Sequence, residues 1–143
     1  MKKIILLAVL LVGLSSTAVA QTKAKADLTN LIGVWKVDLR PTPDAAAYFQ
    51  PFEITKIEGA AFTGKFYGAA IKNGRINTDW DTVYLAFTSE DGSGIYSHFA
   101  RVVNGRLEGG THSLGRNFLL LWRAEKEVLK TEKEKTDSKT KPN

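Results

Sequence analysis

The 143-residue sequence contains no cysteine, only two histidines, four prolines and one methionine. Without cysteine the chain can form neither a disulfide-stapled scaffold nor a thiolate zinc site, and it has no cysteine nucleophile. It also lacks a Gly-x-Ser-x-Gly motif and a glycine-rich phosphate loop that opens a helix, which are signatures of many hydrolases and nucleotide-binding proteins. With 43% hydrophobic and 24% charged residues, the composition is typical of one globular domain.

The net charge of +5 is not concentrated in the middle of the chain. Residues 21–125 carry twelve basic and eleven acidic side chains, and the remaining lysines lie near the two ends. A nucleic-acid-binding surface requires a concentrated excess of Lys and Arg, because binding is driven by the release of counterions from phosphates. The charge distribution therefore argues against a nucleic-acid partner.

Residues 1–20 follow the order of a secretory signal peptide. Lys2 and Lys3 precede an apolar run at residues 4–14, and Ala18-Val19-Ala20 places small residues at both positions of a cleavage site. The apolar run is too short to span a bilayer, which needs roughly 20 residues. We therefore expect an exported protein, periplasmic or secreted, with no membrane anchor. Its mature chain would begin with a short leader at residues 21–30.

From residue 31 to residue 125, apolar and polar side chains alternate with a period of two, which indicates half-buried strands. The pattern predicts eight strands, at residues 31–40, 49–57, 61–71, 76–79, 82–89, 95–103, 106–113 and 117–125. Asn73-Gly74 and Asn104-Gly105 are predicted hairpin turns, because Asn-Gly readily adopts the positive φ angles of a type I′ turn. The inward face of the strand at 95–103 is ambiguous, since both of its faces mix polar and apolar residues.

Short connections between consecutive strands favour an antiparallel meander, because a parallel sheet needs longer crossover segments. We predict an all-β domain at residues 31–125, an eight-stranded antiparallel up-and-down barrel, with an open sandwich as the alternative. Residues 126–143 are charged, polar and without periodicity, and are predicted to be a disordered tail.

Short motifs at the start and end of this region resemble the calycin superfamily, which includes the lipocalins and avidins. Gly33-Val34-Trp35 opens the first predicted strand, Thr63-Gly64-Lys65-Phe66 lies in the third, and Trp122-Arg123 is near the end of the last. The resemblance implies a small barrel with a ligand pocket, in which Gly33, Trp35 and Arg123 are structural residues. Because the first and last strands of a meander barrel pair, Arg123 is expected to stack on the Trp35 indole. The later lipocalin motifs and the tryptophan-rich biotin site of avidins are not found.

The first functional hypothesis is a lipocalin-like binding protein without enzymatic activity. Its partner would be a small apolar molecule, held between apolar walls with a few placed polar groups. The residues expected to line the pocket are Trp35, Val37, Phe52, Ile54, Phe66, Leu85, Phe87 and Tyr96. No cofactor and no metal is expected, and an oligomer is possible.

Two alternatives come from other classes of protein. A barrel enzyme, isomerase- or cyclase-like, would use His98, His112 or Asp79 as proton carriers. His98 and His112 flank the Asn104-Gly105 turn at similar distances, so paired strands can bring them together, although a zinc site would need a third ligand. The second alternative is a barrel filled by its own side chains, which would act as a protein-interaction module of the cell envelope.

Overall fold

The computed structural model describes residues 27–128, and the predicted signal peptide, most of the leader and residues 129–143 lie outside this range. A short 3-10 turn at Thr29–Leu31 precedes the strands. The strands are β1 (Gly33–Asp38), β2 (Phe49–Glu58), β3 (Ala61–Phe66), β4 (Ala69–Ala70), β5 (Lys72–Asn77), β6 (Tyr84–Asp91), β7 (Gly94–Val103), β8 (Arg106–Ser113) and β9 (Phe118–Lys126). No helix in this part of the chain is long and apolar enough to cross a membrane.

Hydrogen bonding between strands forms a closed ring. Neighbours along the chain pair antiparallel, the two-residue β4 pairs only with the end of β3, and β1 pairs with both β2 and β9. Counting β4 as an extension of the β3 hairpin, the ring has eight strands in meander order. The predicted all-β up-and-down barrel is confirmed, and closure through β1 and β9 excludes the open sandwich.

One half of the barrel interior, which we call the packed half, is filled by apolar side chains. Val37, Phe52 and Ile54 are 0% exposed, and the Phe52 and Phe87 rings stack with their centroids 5.1 Å apart. Other members of this core are Leu31, Trp35, Phe62, Ile76, Leu85 and Leu107. Burying a large apolar side chain contributes roughly 1.5–3 kcal/mol, so the packed half is the main source of stability.

The turn between β7 and β8 is the predicted one. Asn104 (φ 50°) and Gly105 (φ 76°) connect Val103 to Arg106, which face each other across the hairpin. This register directs Tyr96, His98 and Ala100 to the interior, which resolves the ambiguous face of this strand.

The predicted turn at Asn73-Gly74 is wrong. The chain turns earlier, at Tyr67-Gly68 (φ 51° and 82°), and Asn73-Gly74 forms a bulge inside β5. A Cβ atom at Gly74 would lie 2.3 Å from the Phe62 carbonyl oxygen, so close approach to β3 requires glycine here. The same dipeptide suits a hairpin and a bulge, because both use a residue with positive φ.

The expected stacking of Arg123 on Trp35 is also wrong. The register between β1 and β9 places Lys126 opposite Trp35 and Arg123 opposite Asp38. Arg123 lies on the outward phase of β9, where its Nε is 3.6 Å from a carboxylate oxygen of Glu108. The cation near the indole is Lys126, with Nζ 5.8 Å from the ring centroid.

Trp35 nevertheless lies at the closed end of the barrel, where the resemblance to calycins predicted a covered tryptophan. Its Nε1–H donates to the Leu31 carbonyl at 2.9 Å, and Lys126 Nζ donates to the Asn30 carbonyl at 2.7 Å. These two bonds attach the 3-10 turn to β1 and β9, so the turn closes this end.

Candidate functional site

The other half of the barrel interior contains a cavity of about 410 Å³. It lies at the end formed by the turns β1–β2, β3–β4, β6–β7 and β8–β9. Its walls are Leu39, Phe66, Ala69, Phe118 and Leu120, and its polar lining is Tyr48, Tyr67, Ser89, Glu90, Asp91, Tyr96, His98, Thr111 and Arg116. The volume falls within the range of small-molecule sites, about 300–1,000 Å³.

The base of the cavity is a row of hydrogen-bonded side chains, Ser89, His98, Thr111 and Trp122, which we call the polar row. Ser89 Oγ is 2.8 Å from His98 Nε2, and Thr111 Oγ1 is 2.9 Å from His98 Nδ1. Trp122 Nε1–H donates to the same Thr111 oxygen at 3.0 Å. No buried side-chain nitrogen or oxygen in residues 27–128 lacks a partner, so the row is fully satisfied.

Strand register brings the polar row together. Phe87, His98 and Thr111 face one another across β6, β7 and β8, and Gly109 pairs with Trp122 across β8 and β9. A Cβ atom at Gly109 would lie 2.6 Å from the Trp122 ring, so the indole can lie against β8 only because this residue is glycine. The imidazole stacks on Phe87, with centroids 4.5 Å apart and planes 16° apart.

His98 is neutral at physiological pH. Burial lowers the pKa of its imidazole to about 4, because the apolar surroundings disfavour the charged form. A neutral imidazole donates from one nitrogen and accepts at the other. When the Thr111 hydroxyl donates to Nδ1, Nε2–H donates to Ser89 Oγ, and the Ser89 hydroxyl hydrogen is then available to the cavity. The alternative tautomer reverses both bonds.

Five side chains, Tyr48, Tyr67, Tyr96, Arg116 and Phe118, surround the opening of the cavity; we call this group the mouth. The Tyr48 and Tyr67 rings meet edge to face, with centroids 6.0 Å apart, and their hydroxyls are hydrogen-bonded. This bond raises the pKa of the Tyr67 hydroxyl. Opposite them, the Arg116 guanidinium lies over the Phe118 ring, 5.3 Å from its centroid.

The acidic residues that line the cavity already have partners. Asp91 accepts from the Tyr96 hydroxyl at 3.0 and 3.1 Å and from the Ser93 N–H at 2.7 Å. Glu90 is paired with Lys72 at 2.6 Å. The lining is therefore polar and charged at the mouth, and aromatic and neutral at depth.

Only part of the predicted site faces the cavity. Of the eight residues expected to line a pocket, Phe66 and Tyr96 do so, and the other six, Trp35, Val37, Phe52, Ile54, Leu85 and Phe87, belong to the core, most of them in the packed half. Their side chains contact one another, so they form the base and packed half of the barrel.

The three candidate proton carriers are not brought together. His98 pairs with Thr111, and His112 pairs with Ser97, so the two imidazoles fall on opposite faces of the sheet. The expectation that they lie together is wrong, because a shift of one residue in register reverses the face. Asp79 is exposed in the β5–β6 connection, at the opposite end of the barrel from the cavity.

Most residues of the mouth, and Ser89 at the base, were not among the site residues predicted from the sequence. Tyr48 and Arg116 lie just outside strands, where no alternation assigns a face, whereas Tyr67 lies inside the predicted strand at residues 61–71, which in the structure is interrupted by a turn at this residue. These residues all flank connections at one end of the meander, and this shared position is the sequence feature that can identify them. Ser113 shows how such a turn is built: its buried hydroxyl accepts from the Arg116 backbone N–H at 3.2 Å.

Two further observations bear on function. Phe99, Leu119 and Leu121 are exposed on the outer face of β7 and β9, with 52%, 65% and 68% of their surface accessible. In residues 27–128 no group of three or more His, Asp or Glu side chains is arranged to hold a metal ion.

The fold and the cavity define a class of protein: a small closed antiparallel barrel whose interior is half packed and half open. This architecture is compatible with a calycin-like barrel. No protein-family model matches the chain, and comparisons with curated proteins and with solved structures found no match.

Proposed function

We propose that this chain is an exported, calycin-like binding protein that holds one small molecule in the cavity. The observation that carries the proposal is the combination of a cavity of about 410 Å³ with the polar row at its base. A barrel that served only as a rigid body would gain stability by filling this space with apolar side chains.

The ligand expected for this cavity is amphipathic, whereas the sequence alone suggested an apolar one. The Phe66, Phe118 and Leu120 side chains offer apolar walls, and burial of ligand surface against them provides most of the affinity. Both ring nitrogens of His98 are engaged within the polar row, so the Ser89 hydroxyl is the group at the base that orients a polar group of the ligand. A ligand without such a group would leave the Ser89 hydroxyl with His98 as its partner.

The proposal is tested by native mass spectrometry of protein purified from an exporting host, followed by denaturation and analysis of the organic extract. We expect a discrete additional mass that is released on denaturation. Leu120→Trp, which places a large ring in the cavity, should abolish it. Leu121→Trp is the matched control, because Leu121 is the next residue of β9 and points outward. An adduct that survives Leu120→Trp would contradict the assignment of the cavity.

A second candidate function is an enzyme on the same barrel, favoured by the Ser89–His98 contact of 2.8 Å inside the cavity. A neutral imidazole can accept a proton, although a pKa of about 4 makes it a weak base. Incubation of the released small molecule with the protein distinguishes the two candidates. Chemical conversion that is lost in His98→Gln identifies an enzyme, and recovery of the unchanged molecule identifies a binding protein.

A further inference from the structure

The Arg116 guanidinium is the least satisfied ionic group that lines the cavity. It carries five N–H donors, and among residues 27–128 its one side-chain hydrogen bond is a long one, 3.4 Å from Nη1 to the Tyr96 hydroxyl. No carboxylate in this part of the chain lies within 4 Å of it. Its position is nevertheless defined, because the Phe118 ring lies beneath the cation and the Ser113 hydroxyl fixes the turn. The remaining donors are available to a ligand.

The neighbouring acids do not compete for this cation at hydrogen-bonding distance. Asp91 is engaged by the Tyr96 hydroxyl and a backbone N–H, and Glu90 is engaged by Lys72. A ligand anion that reaches Arg116 can therefore form a bidentate, charge-assisted pair without displacing an existing ion pair.

Tyr67, on the opposite side of the mouth, adopts a backbone conformation that tyrosine disfavours. Its φ is 51°, and the left-handed region costs a bulky residue roughly 1–2 kcal/mol. The other non-glycine residues of residues 27–128 with positive φ are all asparagines, Asn73, Asn104 and Asn117. Asparagine tolerates this conformation, so Tyr67 is the one bulky residue among residues 27–128 that adopts it.

The Tyr67 side chain is only half covered by the rest of the barrel. The Tyr67 side chain is 51% exposed and contacts Tyr48, which is 45% exposed. Half of its surface remains open to a ligand at the mouth, although the buried half offsets much of the backbone cost. Strained residues that persist in this way are concentrated at ligand-binding sites. Together the two tyrosines offer an aromatic wall facing Arg116 across the mouth.

We propose that the mouth recognises an aromatic ligand with an anionic group, such as a carboxylate or sulfonate. This inference rests on the proposed binding function. Arg116 binds the anion, and Tyr48 and Tyr67 contact the ring system. The inner part of the ligand then enters the cavity toward Ser89 and His98.

Two fluorescent probes with the same ring system test the proposal. N-phenyl-1-naphthylamine is neutral, and 8-anilinonaphthalene-1-sulfonate adds one sulfonate. Titration of the purified protein should give saturable binding of both, with the anionic probe bound about tenfold more tightly, the effect of one or two charge-assisted hydrogen bonds. Leu120→Trp should abolish binding of both probes, and Leu121→Trp should not, which confines the signal to the cavity.

Arg116→Gln should remove the preference, weakening the anionic probe about tenfold and the neutral probe less than twofold. Arg106→Gln is the matched control, because Arg106 lies at the closed end, paired with Glu125. Equal binding of the two probes by the wild type, or a preference that survives Arg116→Gln, would overturn the proposal while leaving the binding function intact. If neither probe binds, the proposed function fails together with this inference.

Tyr67→Asn separates recognition from stability. We expect the melting temperature to change by no more than a few degrees, because asparagine suits the turn but buries less surface than tyrosine, and we expect both probes to bind more weakly. Tyr67→Phe keeps the ring and should retain most of the affinity. A lower melting temperature with unchanged probe binding would show that Tyr67 is retained for packing, which would contradict its assigned role.

Discussion

Acidification is expected to destabilise the barrel through His98. The unfolded chain takes up a proton at this imidazole as the pH falls through its usual pKa of 6.5, whereas burial keeps the folded form neutral until about pH 4. Between these values the unfolded state binds more protons, so the free energy of unfolding decreases as the pH decreases. The difference between the two pKa values corresponds to about 3 kcal/mol, lost between pH 6.5 and pH 4.

Urea denaturation at intervals from pH 7.5 to pH 4 measures this loss. Carboxylates also titrate toward the acid end, and the pKa values of Asp38 and Asp81 are lowered by hydrogen bonds from Arg40 and Tyr84. Their contribution is removed by comparison with His98→Gln, which keeps polar groups near Ser89 and Thr111 but cannot titrate. The wild type should lose about 3 kcal/mol more than this variant over the range.

His112→Gln is the matched control, because it removes an outward-facing imidazole from the neighbouring strand. On acidification, the free energy of unfolding of this variant should decrease by the same amount as that of the wild type. Parallel pH profiles for the wild type and His98→Gln would refute the reasoning, since they would mean that the folded barrel protonates His98 as easily as the unfolded chain. If His98→Gln does not fold, a direct NMR titration of His98 in the wild type answers the same question.

Three further predictions concern the scaffold. Gly74→Ala should destabilise the barrel by about 1–3 kcal/mol, because its Cβ would meet the backbone of β3. Gly92→Ala is the control, because Gly92 has open space around it, and it should change the free energy of unfolding by less than about 0.5 kcal/mol. Urea denaturation of both variants measures these changes. Phe52→Ala in the packed half should cost about 3–5 kcal/mol in the same assay, and a smaller loss would mean that the core there collapses around the deletion. Lys126→Ala should lower the melting temperature more than Arg123→Ala does, because only Lys126 contacts the tryptophan at the closed end; the reverse order would restore the expected role of Arg123.

The barrel could be predicted from sequence because its determinants are local. Alternation identifies strands, and short connections identify antiparallel neighbours. Turn chemistry was less decisive, since Asn73-Gly74 carries the same signal as Asn104-Gly105 but forms a bulge. The real turn at Tyr67-Gly68 carries no hairpin signal at its first position, because tyrosine is rare at positive φ.

The candidate site was predicted only in part, because it depends on contacts between distant residues. Inward-facing residues can be recognised from the strand pattern, but whether they fill the barrel depends on how side chains from opposite walls meet. The Phe52 ring meets the Phe87 ring and fills the barrel interior at that point, whereas Phe66 and Phe118 leave the cavity open between them. The pairing of Arg123 with Glu108 likewise follows from the register across β8 and β9, which no single strand reveals.

The division of the interior into two halves has a consequence for how such a barrel can change over time. Side chains such as Phe52 and Ile54, which secure folding, lie apart from those that shape the mouth. Substitutions at Tyr48, Tyr67 or Arg116 are therefore expected to lower the free energy of unfolding less than substitutions in the packed half do. The same scaffold can accordingly diversify toward new ligands in single steps without passing through unfolded intermediates, and directed evolution should begin at the mouth.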